Sequence, residues 1–288
     1  MQSPERGDTL PPVRNHSSRV RLALRRLFIL FYNIIMLQSS VMLPYGDTMS
    51  MESRALRHRL RRNGFTLVEL LTVIAILAIL AAVLIPTIGA VLDNARKSTA
   101  QSNLRQIALA YRTYATEGGR PRSINTESIY EWARILAQEV DFNDPRIYIL
   151  GEDPLVEQET RPLPVAIAHP PEDGIGPWTL APDFAGYPLS FAVATRVTSR
   201  ANPSTTPIAW TRGLQLDGSW AGADSDQPGV YGSSGGHIAF LDGHVMWFRD
   251  LTEEGGRLTH FLTRHPTASI REALNSQAGG LDSHGRAF

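Results

Sequence analysis

The sequence contains no cysteine. No disulfide can staple the chain, no thiolate nucleophile is available and no zinc-thiolate site can form. An excess of one charge is missing too, because 28 Lys and Arg offset 28 Asp and Glu to a formal net charge of +0. A general nucleic-acid binder needs a basic surface that displaces counterions, so nucleic acid is not an expected partner. Between Leu70 and Leu92 charge is lacking altogether.

That last absence marks what is present. The 23 residues from Leu70 to Leu92 are almost all apolar. At about 1.5 Å per helical residue they suffice to cross a hydrocarbon core of about 30 Å. Arg54, Arg57, Arg59, Arg61 and Arg62 stand directly before the run. Basic residues beside a span stay on the cytoplasmic side, which sends the C-terminal part outward. Glu69 breaks the apolar pattern. A carboxylate at that depth costs a few kcal/mol and calls for a positive partner. The segment offers none before Arg96, so the partner is expected from elsewhere.

The stretch Gly64-Phe65-Thr66-Leu67-Val68-Glu69, directly after an Arg cluster, resembles the processing site of type IV pilins and type II secretion pseudopilins. The resemblance implies that a prepilin peptidase cuts after Gly64 and that Phe65 becomes the N-methylated first residue. It implies that Glu69, then fifth, meets a neighbour's N-terminal amine, and that Pro86 kinks the helix. A simple signal anchor does not need this motif. A secretory signal has a shorter apolar region, followed by a small-residue cleavage site. Many pilins close a C-terminal loop with a disulfide, and this chain departs from them.

Residues 1–48 fit poorly with that leader. Arg21, Arg25 and Arg26 precede an apolar run at 27–37 that is too short to span. Met49 or Met51 is the more natural start, against the reading of a long leader with a membrane-surface segment. On either reading residues 1–64 are expected to be absent from the mature chain.

Beyond Leu92 the helical pattern continues. Ala100, Leu104, Ile107, Ala108, Tyr111 and Ala115 form a stripe at spacings of three and four, ending at Gly118-Gly119. A helix from Phe65 to about Thr116 would be about 78 Å long and bend at Pro86 and Gly89. A second helix capped by Asn125 or Thr126 is expected to run to about Glu139, burying Ile129, Trp132, Ala133, Leu136 and Val140. A short strand is predicted at 144–150. The connection after it, with Pro154, Pro162, Pro164, Pro170, Pro171, Pro177, Pro182 and Pro188, excludes a long helix or a central strand. Strands are predicted at 189–197 and 207–211.

Two apolar runs then meet across Asp242-Gly243. This dipeptide favours a two-residue type I′ hairpin turn. Gly235-Gly236 and Phe240-Leu241-Asp242-Gly243-His244-Val245 also resemble a pseudopilin-like subgroup in which a His lies ten residues before Asp-Gly. Gly232 holds that position here, so whatever the His does is not carried over, and His237 is not its equivalent by spacing. Residues 253–288 read as a loose tail, with a short helix near 266–274.

His237, Asp242 and His244 suggest a metal or acid–base set, but Asp242 is explained by the turn. Ser233 and Ser234 lack the strained elbow of a hydrolase nucleophile. Asp217, Asp224 and Asp226 form an acidic loop whose oxygens suit calcium, although the spacing is not that of an EF-hand and a solvated turn is the plainer reading. Major pseudopilins hold calcium in a loop near the end of the chain, which this loop resembles only in position and acidity.

These readings converge on an α+β, type IV pilin-like fold: a long N-terminal helix, transmembrane in its first half, packed on a small antiparallel sheet. The divisions are 1–64 leader, 65–92 transmembrane and assembly helix, 93–252 head including the second half of the long helix, and 253–288 tail. The function expected is that of a non-enzymatic filament subunit, with no cofactor unless calcium. Its expected partners are prepilin peptidase, other pilin or pseudopilin subunits, an inner-membrane assembly platform and lipid. Its expected place is the inner membrane with the head periplasmic, and then a periplasmic or surface filament. The alternative is a periplasmic binding or enzymatic domain using the helix only as a tether.

Overall fold

The structure is a computed structural model that describes residues 67–282 apart from Arg120, Ser199, 253–255 and Ser276. Within the first helix the side chains of Glu69, Val83, Pro86, Thr87 and Ala90 also lie outside the described residues. The chain divides into two units, 1–90 and 91–288.

Helix α1 is described over Leu67–Thr116, the extent the periodicity predicts. The bend expected at Pro86 depends on a ring outside the described residues. In the first unit α1 exposes most of its described apolar side chains, among them Leu70, Ile74, Leu77, Leu80 and Leu84, while Ala75 is buried and Leu71 and Ala82 are half-buried. A helix apolar on every side needs lipid or other protein around it. Among the described residues no helix is long and apolar enough to cross a membrane.

In the second unit the pattern changes to one buried stripe. Ala100, Leu104, Ile107, Ala108 and Tyr111 are buried, as their spacing predicts. The helix tightens into a 3-10 turn at Glu117–Gly119, and Gly119 takes φ +71°, the left-handed conformation that ends helices.

Helix α2, Ile129–Val140, starts later than the expected cap because Ser128 supplies it. The Ser128 Oγ accepts from Tyr130 N at 3.2 Å. Its buried face of Ile129, Trp132, Ala133 and Leu136 is the predicted one, except that Val140 is only half-buried. Trp132 stacks on Tyr111 with ring centroids 5.7 Å apart and donates through Nε1 to the Ala194 carbonyl. That indole therefore joins α1, α2 and the sheet in one core.

A strand does not form at 144–150. Asp144 caps a 3-10 turn over Pro145–Tyr148 by accepting from Arg146 N, and Pro145 suits the first position of such a turn. The short helix α3, Pro154–Glu157, follows. In the proline-rich connection, β1 (Ala168–His169) pairs with β2 (Thr179–Leu180). Gln138 Oε1 accepts from Trp178 N, and Arg134 donates to the Trp178 carbonyl, so α2 holds this ribbon.

The central sheet has five antiparallel strands in the order β6-β5-β4-β3-β9. They are β3 (Phe191–Thr195), β4 (Pro207–Thr211), β5 (Gly236–Phe240), β6 (Val245–Phe248) and β9 (Gly279–Leu281). Every residue of β3, β4 and β5 is buried, which explains their nearly continuous apolar reading.

The expectation of a loose tail is corrected by β9. Val193, Ala194 and Thr195 pair with Leu281, Gly280 and Gly279, so the C-terminal segment supplies an edge of the central sheet. Asn275 fixes the approach, accepting from Thr198 N and donating to the Arg196 carbonyl. Before it, β7 (Leu258–Thr259) pairs with β8 (Pro266–Thr267), and α4 covers Ile270–Ala273.

Candidate functional site

The residues expected at the processing point, Gly64 and Phe65, lie outside the described residues, as does the Glu69 side chain. What is described begins at Leu67, with α1. Its exposed apolar surface runs from Leu67 to Leu92. The next charges, Asp93 and Arg96, face each other at 3.7 Å on successive turns.

The hairpin at Asp242-Gly243 forms, with a different turn from the one expected. Phe240 N donates to the His244 carbonyl, and Gly243 N donates to the Phe240 carbonyl. The loop is thus the three residues Leu241, Asp242 and Gly243. Of these, Gly243 has positive φ, at +91°, whereas type I′ would also require it of Asp242. This is the type I turn followed by a glycine bulge. The Asp242 side chain turns to its neighbour: its Oδ1 accepts from His244 N at 3.0 Å and lies 2.5 Å from His244 Nδ1. Burial pushes that carboxyl up, but the His244 contacts win and hold it below the usual carboxylate range.

A Cβ on Gly243 would lie 2.9 Å from Leu109 Cδ2 of α1. Gly243→Val therefore meets backbone strain at a positive φ, while the exposed Leu109 tip can shift aside, and is expected to cost about 1–2 kcal/mol. Thermal unfolding of the full chain in detergent measures it. A wild-type melting temperature would refute the turn assignment.

Asp217 Oδ1 accepts from Ser219 N and Oγ at 2.9 and 2.7 Å, and these bonds hold its carboxyl below the usual carboxylate range. Asp224 and Asp226 are exposed further along the loop. Among the described residues no group of three or more His, Cys, Asp or Glu can hold a metal ion. Asp217 thus closes a turn of its own, the plainer of the two readings of this loop.

His237 is buried in β5 beside aromatic rings, 4.8 Å from Trp247 and 6.1 Å from Tyr231 between centroids. Lys97 of α1 sits over the outer ring, its Nζ 4.1 Å from the Trp247 centroid. Burial first, and the Lys97 charge second, push the His237 imidazole down to about 4. The unfolded imidazole titrates near 6.5. Between about pH 6.5 and 4 the unfolded chain binds a proton that the folded chain refuses, so stability falls as pH falls through this window and is fully restored above it. The loss is expected to be on the order of 2 kcal/mol. Comparing denaturant unfolding of wild type and His237→Phe at about pH 7 and pH 4.5 tests it. The variant is expected to lose less, and equal losses would remove His237 from the pH response.

One ionic feature has no signal in the sequence. Arg212 and Asp153, 2% and 0% exposed at their side chains, form a bidentate pair at 2.5 and 2.9 Å. Arg212 also donates to the Leu189 and Pro228 carbonyls, while Asp153 Oδ1 caps α3 through Leu155 N. Four segments meet at this guanidinium. The site is structural: it presents no open face to a substrate.

Comparison with known proteins finds likeness over part of the chain. A family model described as a prokaryotic N-terminal methylation motif matches residues 59–85, a window that contains Gly64, Phe65 and Glu69. The "Type IV major pilin protein PilA" of Myxococcus xanthus (strain DK1622) is 37% identical over 67 residues. The match covers 23% of this chain and 30% of that protein, less than a third of the relative's length. No solved structure matches the chain. At its N-terminal end the chain is prepilin-like, and its described fold is α+β.

Proposed function

We propose that this chain is a pilin-like structural subunit, processed by a prepilin peptidase between Gly64 and Phe65 and assembled into a filament through α1. The observation that carries the reading is the methylation motif over residues 59–85 together with a helix, described from Leu67, that leaves most of its apolar side chains up to Leu92 exposed. An enzyme anchor has no need for that motif.

In this reading residues 65–92 first span the inner membrane, supported by the uncharged run from Leu70 to Leu92 and the Arg block before it. The head, beginning near residue 93, stands in the periplasm. On assembly the apolar helices leave lipid for one another, in a periplasmic or cell-surface filament. An inner-membrane platform and neighbouring subunits are the partners. The Asp-Gly hairpin and the lack of a disulfide lean toward a pseudopilin, the finer part of the proposal.

The processing step is tested with Gly64→Leu. A peptidase at the membrane face needs access to the bond after Gly64, and a bulky side chain obstructs it. Uncut precursor is expected to replace mature protein in membranes, while the wild type yields a methylated Phe65 N-terminus by intact mass and N-terminal analysis. Normal cutting of Gly64→Leu would overturn the assignment.

A further inference from the structure

The exposed side of α1 within the head carries two clefts, each lined by one arginine without a partner among the described residues. The turn at Leu241–Gly243 rests on this helix near Leu109 and separates the two clefts along it. One, of ≈ 340 Å³, is lined by Arg105 with Ser98, Ser102 and His244. The other, of ≈ 410 Å³, is lined by Arg112 and Thr116 with Thr198 and Leu241. Arg105 and Arg112 are seven residues apart, so they lie on one face of the helix about 10 Å apart along its axis.

Neither guanidinium has a hydrogen bond or ion pair among the described residues. The other charges here are already engaged. Arg122 is held by Glu139 at 2.8 Å and donates to the Tyr114 carbonyl, and Asp242 is held by His244. The two free arginines thus give the clefts their charge.

The same head carries a complement. Asp224 and Asp226 are exposed in the β4–β5 connection and likewise have no partner among the described residues. They stand two residues apart, at most about 7 Å between Cα atoms. That span lies within the reach of two long arginine side chains. The surrounding Gly222 and Ser225 are small, and Ser225 Oγ donates to the Gly222 carbonyl, which leaves the two carboxylates as the loop's longest side chains.

We propose that this side of α1 receives the acidic loop 222–226 of a second copy of the chain, with Arg105 and Arg112 reaching Asp224 and Asp226 from either side of the Leu241–Gly243 turn. The inference rests on the filament reading above. The two surfaces differ, so the contact is head-to-tail, and such a contact propagates into an open filament when its rotation does not close. Each exposed pair is weak. Its role is to select register between heads, while the apolar helices supply the adhesion. Repetition along the filament multiplies the effect.

The absence of cysteine makes the test clean. Two single-cysteine chains, Arg105→Cys and Asp224→Cys, are expressed together, treated with a thiol-reactive bismaleimide whose span matches an extended Arg–Asp pair rather than a disulfide, and separated into membrane and sheared-filament fractions. A covalently linked dimer is expected in sheared filaments at about tenfold the level of a control pair of Arg105→Cys with Asp173→Cys. In parallel, Arg105→Asp/Arg112→Asp is expected to lower sheared filament yield about tenfold, and adding Asp224→Arg/Asp226→Arg to the same chain is expected to restore much of it. Filaments of normal yield from the double-Asp chain, or filaments without cross-link above the control, overturn the contact and leave the filament reading standing. Wild-type chain that is cut but never enters a sheared filament overturns the filament reading and this contact with it.

Discussion

An Asp153→Ala chain is expected to lose about 3–5 kcal/mol of stability in its head, the range for removing one partner of a buried ion pair. The reason is what remains. Arg212 stays 2% exposed with its carbonyl partners Leu189 and Pro228, but a charge that two carboxylate oxygens balanced is left in a dry interior. The substitution also removes the cap of α3, which Asp153 supplies to Leu155 N. For a unit of this size the melting temperature is expected to fall by roughly 10 °C. Replacing both partners, as Asp153→Leu/Arg212→Met, is expected to recover much of the loss, because apolar groups of similar volume need no pairing. Thermal and denaturant unfolding of the three chains decides it. If Asp153→Ala melted with the wild type, the pair would not be holding the four segments together.

The helical parts of this fold are readable in the sequence, whereas the parts set by distant contacts are not. The stripe of Ala100, Leu104, Ile107 and Tyr111 exposes its period directly, and all four side chains are buried. Likewise β3 and β4 announce themselves as apolar runs between turn residues. By contrast β9 begins with Gly279-Gly280, a pair with no β preference of its own, and becomes a strand because β3 offers it an open edge. The stretch 144–150 has strand composition, but Asp144 and Pro145 supply a cap and a fixed φ that favour a 3-10 turn. At Asp242-Gly243 the dipeptide locates the hairpin correctly. Its loop length is decided by Phe240 and His244, which pair with each other and leave three residues between them. The Asp153–Arg212 pair joins positions 59 residues apart, a distance that no local pattern encodes. For the candidate site, the methylation motif is legible because the chemistry of cutting demands a fixed local sequence. The two arginine-lined clefts are not, because Arg105 and Arg112 acquire meaning only when the turn at Gly243 rests between them.

Glu69→Val is expected to separate insertion from assembly. Glu69 stands third in the described part of α1, in a stretch whose neighbours are apolar, and valine there would make the segment more apolar still. Insertion and cutting after Gly64 should therefore proceed. Two roles compete for the carboxylate. One is local, since an acidic group in the first turn of a helix complements its dipole by about 0.3–1 kcal/mol. The other is intermolecular: the Phe65 amine freed by processing, still cationic after methylation, meets Glu69 of an adjacent subunit. Opposite charges at about 4 Å attract by about 4 kcal/mol at an effective dielectric near 20, before desolvation is subtracted. Desolvation consumes much of that attraction, so the pair acts mainly by fixing the axial register of helices whose apolar surfaces could otherwise slide. The local role predicts a slightly frayed helix and filaments near normal yield. The intermolecular role predicts normal amounts of cut monomer in the membrane and few sheared filaments when the variant is expressed alone, with partial recovery beside wild type. Quantifying processed monomer against sheared filament distinguishes them, and normal assembly of the variant alone would remove Glu69 from the mechanism.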